Sequence, residues 1–123
     1  TPINRLNLLL SNCYLESNKS NEAKVFFDYS NKDLVEDYDL VAENYFLKGD
    51  YLEAKEIIYK NPLSYKDPKY LLLISNILIA EGNIDEARKK ALEAIEISKQ
   101  PKIPLYIQEG QKLIDEIDII LKY

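Results

Sequence analysis

Apolar residues recur with a period near 3.6 along seven stretches of the chain, and the period-2 alternation of a half-buried strand is absent. The pattern predicts an all-α protein. Thr1-Pro2 pairs a capping residue with a proline suited to the first helical position and opens a helix to about Ser17. Asp33 can cap a second long helix reaching Lys48, and Asp67-Pro68 a third reaching Glu81. Between these run Asn21 to Tyr29, Leu52 to Lys60 and Ile84 to Lys99, with stops at Ser30-Asn31, Asn61-Pro62 and Gln100-Pro101. A seventh helix, Pro104 to about Lys122, carries Ile103, Ile107, Gly110, Ile114, Ile117 and Leu121 on one stripe.

The stretches are not independent of one another. The hexapeptides Asn18-Lys19-Ser20-Asn21-Glu22-Ala23, Gly49-Asp50-Tyr51-Leu52-Glu53-Ala54 and Gly82-Asn83-Ile84-Asp85-Glu86-Ala87 place alanines 31 and then 33 residues apart. Each lies between two apolar-periodic stretches, as in a helical hairpin with a tight turn.

From about Arg5 to Pro101 the chain resembles the tetratricopeptide repeat family, whose unit is a helix-turn-helix stacked on its neighbours. With the alanines at the family's small second-helix position, its small first-helix position falls on Ser11, Ala42 and Ser75. The bulky position three residues on is then Tyr14, Tyr45 and Leu78, and the apolar one just before is Leu10, Val41 and Ile74. The arrangement has a physical reason: antiparallel helices approach closely where small side chains face each other and larger ones fill the grooves alongside. Asn7, Ser30 and Asn61 depart from the family's preferences, and Pro62 cuts the middle unit's second helix short.

The resemblance implies a right-handed superhelical stack of three hairpins, residues about 4–33, 34–66 and 67–101, with a capping helix over 103–122. All of it forms one domain, read as a segment of a longer protein because Thr1 is not a methionine. An irregular seven-helix bundle, also all-α, is the competing architecture.

In such stacks the first helices of successive hairpins line a concave groove. Residues at i, i+3, i+7 and i+10 on the face beside the packing face are then the candidate partner-binding set. They are Arg5, Leu8, Asn12 and Leu15; Glu36, Asp39, Glu43 and Phe46; and Lys69, Leu72, Asn76 and Ile79. Asn12 and Asn76 carry amides able to pair with the donor and acceptor of an extended peptide backbone, or simply to be solvated. The family's clamp for acidic chaperone tails uses lysine and asparagine in the first unit, asparagine in the second, and lysine and arginine in the third. Asn12 and Lys69 match it, whereas Leu8, Leu40 and Leu73 stand where a lysine, an asparagine and an arginine are required. Asp39 and Glu43 would also repel a carboxylate. No acidic-tail binding is therefore expected, and affinity for a free acidic pentapeptide that vanished in Lys69→Ala would contradict this.

Asp33, Glu36, Asp37, Asp39 and Glu43 follow one another with no base between them. They can steer a basic partner segment, or be a solvated face with its acids near a helix N-terminus. The whole chain has 16 basic against 21 acidic residues, a net charge of −5, which disfavours nucleic acid. Arg88-Lys89-Lys90, the one basic triplet, is flanked by Asp85, Glu86 and Glu93. Ten tyrosines suit packing better than base stacking, since Tyr14, Tyr45 and Tyr51 fall at bulky repeat positions.

Candidate chemistry is sparse. The chain has no histidine and one cysteine, which excludes Ser-His, Cys-His and histidine-zinc arrangements and any internal disulfide. Lone Cys13 suits a reducing, cytoplasmic setting and is expected to be a buried, inert thiol. Adjacent carboxylates such as Asp85-Glu86 and Asp115-Glu116 point different ways on a helix, and there is no phosphate-cradling glycine loop. No catalytic residue, cofactor, metal or membrane insertion is expected.

The terminal helix reads as a cap over the last hairpin or as a surface for self-association, because Ile119 and Ile120 broaden its stripe. Gly110 within it costs about 1 kcal/mol against alanine unless a close helix approach requires it. The expected function is a protein-interaction module binding a basic or mixed apolar partner segment. A structural subunit that homo- or hetero-oligomerises is the alternative.

Overall fold

The computed structural model describes residues 2–61, 66–99 and 102–122. Among these residues the chain forms seven α-helices and no extended strand: α1 (Pro2–Glu16), α2 (Ser20–Tyr29), α3 (Tyr38–Leu47), α4 (Tyr51–Lys60), α5 (Pro68–Ala80), α6 (Ile84–Ser98) and α7 (Pro104–Lys122). Helices α1 and α2, α3 and α4, and α5 and α6 pack as three antiparallel hairpins.

The three hairpins share one turn. Asn18, Gly49 and Gly82 adopt left-handed φ values of 60°, 84° and 84°. Directly after each, an amide donates back five residues: Lys19 to the Tyr14 carbonyl (2.8 Å), Asp50 to Tyr45 (2.9 Å) and Asn83 to Leu78 (2.8 Å). This six-to-one bond ends a helix on a left-handed residue and satisfies a terminal carbonyl. Asparagine is the side-chain-bearing residue that most readily stands in for glycine there, which is why the first turn works without one.

The helix crossings repeat as well. Ser11 Oγ donates to the Ala23 carbonyl at 2.7 Å, and Ser75 Oγ to the Ala87 carbonyl at 2.7 Å. In the middle hairpin Ala42 and Ala54 fill the same two places, both fully buried. Small side chains bring the helices close enough for a hydroxyl to reach across, or for two methyl groups to meet.

Contacts gather the chain into two compact units, Thr1–Asn61 and Pro62–Tyr123. In the first, α3 packs on α1, and Leu8, Leu40 and Val41 form a buried cluster flanked by Phe27, Tyr45 and Ile57. In the second, α7 runs along α6 and touches α5. Leu71, Ile74, Ile77, Ala87, Ala91 and Ala94 are buried there, with Ile114 and Ile117 of α7. At Gly110 the two helices approach closely, since a Cβ on it would lie 2.6 Å from Ile95 Cγ1.

Asp67 and Pro68 start α5 as expected, with Asp67 Oδ1 accepting from the Lys69 amide at 3.0 Å. Asp33 does not cap α3. A 3-10 turn over Val35–Asp37 intervenes and the α-helix begins at Tyr38. The cause is tertiary: Asp37 is turned inward as a buried acceptor for α1, with its backbone off-helix at φ −112° and ψ 8°. Thr1, Pro62, Gln100 and Pro101, assigned capping and stopping roles, lie outside the described residues. Among the described residues no helix is long and apolar enough to cross a membrane.

Candidate functional site

Arg5, Asn12 and Asp39, expected to meet a partner, are taken up by bonds within the fold. Arg5 Nη2 donates to Asp39 Oδ2 at 2.8 Å, and Nη1 donates to Asp39 Oδ1 at 3.1 Å and to Asp37 Oδ1 at 3.2 Å. The two-pronged pairing matches a planar guanidinium to a carboxylate. It holds the Arg5 pKa above its usual value, first through the hydrogen bond to Asp39 and against the opposing effect of desolvation. Asn4 Nδ2 donates to Asp37 Oδ2 at 2.7 Å, and Asn4 Oδ1 accepts from the Asn31 amide. Further along the helices, Asn12 Nδ2 donates to the Leu40 carbonyl at 3.2 Å, and Asn44 Nδ2 donates to Asn12 Oδ1 (2.9 Å) and Ser11 Oγ (2.8 Å).

These bonds correct three expectations. Leu8, Asn12 and Asp39 are buried between α1 and α3, so they hold the first unit together and do not face a ligand. Asp37 and Asp39 of the acidic run are neither a solvated face nor open to a basic segment, because both are buried and paired with Arg5 of α1. Asn12 is neither solvated nor free, because its donor and its acceptor both have partners. Of the remaining candidates, Phe46 lies against Tyr51 with ring centroids 5.7 Å apart, Leu15 and Glu43 are half-buried, and Glu36 is exposed. Sequence reasoning missed Asn4 and Asn44, and took Asp37 only as one member of the acidic run. For α1 the signal was present: Asn4 and Ser11 are polar residues seven apart, hence on one face of the helix.

Cys13 is exposed, not buried as expected, because its face of α1 meets neither α2 nor α3. Tyr14 stacks on Phe26 at 5.5 Å and Tyr45 meets Phe27 edge-on at 5.7 Å, whereas Tyr29 and Tyr59 are exposed. Lys48 Nζ sits 3.9 Å from the Phe27 ring centroid and 5.1 Å from that of Tyr45, and burial lowers its pKa.

The second unit differs. Leu72 and Asn76 of α5 and Glu109, Lys112, Leu113 and Glu116 of α7 line a cleft of about 270 Å³. Leu72 and Leu113 are nearly buried and form its floor, while Glu109, Lys112 and Glu116 are exposed along its α7 wall. Among the described residues, the side chains of Asn76, Glu109, Lys112 and Glu116 make no hydrogen bond or ion pair. The nearby α7 acids are already engaged: Asp115 accepts from Gln111 at 3.0 Å, and Asp118 from Arg88 at 2.8 Å, a pairing that keeps the Asp118 pKa low. Two of the expected residues, Leu72 and Asn76, thus meet in one cleft. Lys69 and Ile79, on the same helix, are half-buried and do not line it.

In chemical terms the cleft offers an apolar floor, one free amide, two carboxylates and an ammonium group. Among the described residues, no group of three His, Cys, Asp or Glu side chains is placed to hold a metal ion. Compared with protein-family models, with curated proteins and with solved structures, the chain matches none.

Proposed function

We propose that this chain is a non-catalytic protein-interaction module of the tetratricopeptide type, a right-handed superhelical stack of three hairpins closed by α7. It works in a reducing compartment such as the cytoplasm and holds a partner segment in the cleft between α5 and α7. The threefold recurrence supports the repeat reading: the same six-to-one turn bond, the same left-handed residue and the same small-residue crossing appear in each hairpin. Repeats of this kind act through the surfaces that their first helices line.

The observation that carries the site is the contrast in polar satisfaction. Candidate amides and carboxylates on α1 and α3 are spent within the fold, whereas Asn76, Glu109 and Glu116 in the cleft are without partners. Unpaired polar groups around an apolar floor are what a recognition cleft presents before binding.

Panning a displayed peptide library on the intact chain tests this reading. Selected peptides should lose binding to Asn76→Arg, which fills the cleft with a half-exposed side chain and leaves the core untouched. Peptides that bind this variant as well as the parent contradict it.

One observation favours assembly instead: Ile119, Ile120 and Leu121 near the end of α7 are exposed by 60%, 46% and 49%. Light scattering separates the two, since a dimer that persists on dilution supports assembly and a monomer supports recruitment of a partner segment.

A further inference from the structure

We propose that the α5–α7 cleft takes an extended segment of a partner protein bearing two cations three residues apart, one against Glu109 and one against Glu116. The inference rests on the cleft being the binding site, and adds the chemistry and spacing of what enters it.

The spacing follows from helix geometry. Glu109 and Glu116 are seven residues apart on α7, which places them on one face about 10.5 Å from each other along the axis. A polyproline-II segment advances about 9.3 Å in three residues and returns to the same side of its own axis. The remaining difference is small for lysine or arginine, whose flexible stems let the charged head shift. Those stems would lie on Leu72 and Leu113, the apolar floor. Across the cleft, Asn76 can donate to one backbone carbonyl and accept from one amide of the same segment, the pairing that an extended strand leaves open.

Lys112 makes the inference more specific. It stands between the two glutamates on the α7 wall, so a cation at either intervening position of the ligand meets a like charge. The pattern is therefore basic, neutral or acidic, neutral or acidic, basic, and not a run of lysines.

Size and charge agree. At about 270 Å³ the cleft lies below the roughly 300–1,000 Å³ of pockets that enclose a small molecule, and it suits a chain that passes through. The net charge of −5 draws a basic segment towards the protein.

The test uses the intact chain and three fluorescein-labelled eight-residue peptides: Lys-x-x-Lys with neutral spacers, the same composition with adjacent lysines, and Glu-x-x-Glu. Anisotropy is read for the parent, for Asn76→Arg and for Glu109→Lys/Glu116→Lys, whose thermal melts establish that they fold. The Lys-x-x-Lys peptide should bind the parent at least tenfold more tightly than the other two and weaken as salt rises. It should lose at least tenfold on the double charge reversal, which should in turn gain affinity for Glu-x-x-Glu. Equal binding of acidic and basic peptides, or no loss on charge reversal, overturns the inference. If Asn76→Arg still abolishes that binding, the cleft itself stands. Failure of every peptide to bind in an Asn76-dependent way overturns both.

Discussion

The first and second units begin from the same hairpin and attach the next helix by opposite means. Between α1 and α3 a polar network surrounds the buried Leu8, Leu40 and Val41: Asn4, Arg5, Ser11 and Asn12 on one side meet Asp37, Asp39 and Asn44 on the other. Between α6 and α7 it is apolar, with Gly110 set against Ile95 and with Ile114 and Ile117 buried. Its cross-seam ion pair, Arg88 with Asp118, lies at the surface. A polar seam fixes register through directional bonds, and leaving one of its members unpartnered is expensive. An apolar seam fixes register through shape, and leaves the polar residues of its helices free for other work. In the second unit, those free residues form the cleft.

The largest effect that separates the two seams should come from the apolar one. Ile117→Ala removes a fully buried side chain and should cost about 2–5 kcal/mol in urea unfolding. Arg5→Ala takes the guanidinium away from two carboxylates with side-chain exposures of 2% and 8%, of which Asp37 keeps its bond from Asn4. Because Arg5 itself is 39% exposed, water enters and the expected loss is smaller, about 2–3 kcal/mol. A loss below about 0.5 kcal/mol on the same unfolding curve contradicts a polar seam that holds the unit together.

Gly110→Ala comes next. The new methyl gains about 1 kcal/mol of helix propensity but is forced against Ile95 Cγ1, and overpacking of that kind costs about 1–3 kcal/mol. The net change is a modest destabilisation, turning neutral or favourable in an Ile95→Ala background. A double-mutant cycle measures this, and an uncoupled pair contradicts the close approach. Ser75→Ala, which makes the third hairpin's crossing resemble the middle one, should cost only about 0.5–1.5 kcal/mol. Ser11→Ala should cost more than Ser75→Ala, because Ser11 Oγ also accepts from Asn44. The smallest effect belongs to Arg88→Ala, a change at an exposed pair that should leave the unfolding curve unchanged.

What could be read from the sequence follows the range of the forces involved. Turns, helix ends and crossing residues are local, so Gly49, Gly82 and the serine and alanine positions announced the hairpins. Gly110 was legible for the same reason, as a residue whose helix penalty needed a packing explanation. The start of α3 was not, because Asp37 answers to Asn4 and Arg5, more than thirty residues earlier. Nor was the fate of Asn12: an amide on a helix face reads alike whether it meets water or a neighbouring helix. The acidic run from Asp33 to Glu43 looked like a ligand site because nothing local shows that Arg5 reaches it from α1. Of the free carboxylates on α7, Glu116 was read only beside its neighbour Asp115, and its partner on the same face, Glu109, lies seven residues earlier.

The central claim, that binding belongs to the second unit's open cleft and not to the sealed α1–α3 face, has a direct test. An amide-resolved NMR titration of the labelled chain with the Lys-x-x-Lys peptide reports both faces at once. The account predicts shifts in the Asn76 side-chain amide and in the backbone amides around Leu72, Glu109, Leu113 and Glu116, with the side-chain amides of Asn4, Asn12 and Asn44 unmoved. Shifts concentrated on Asn12, Asp39 and Asn44, with α5 and α7 silent, would contradict it.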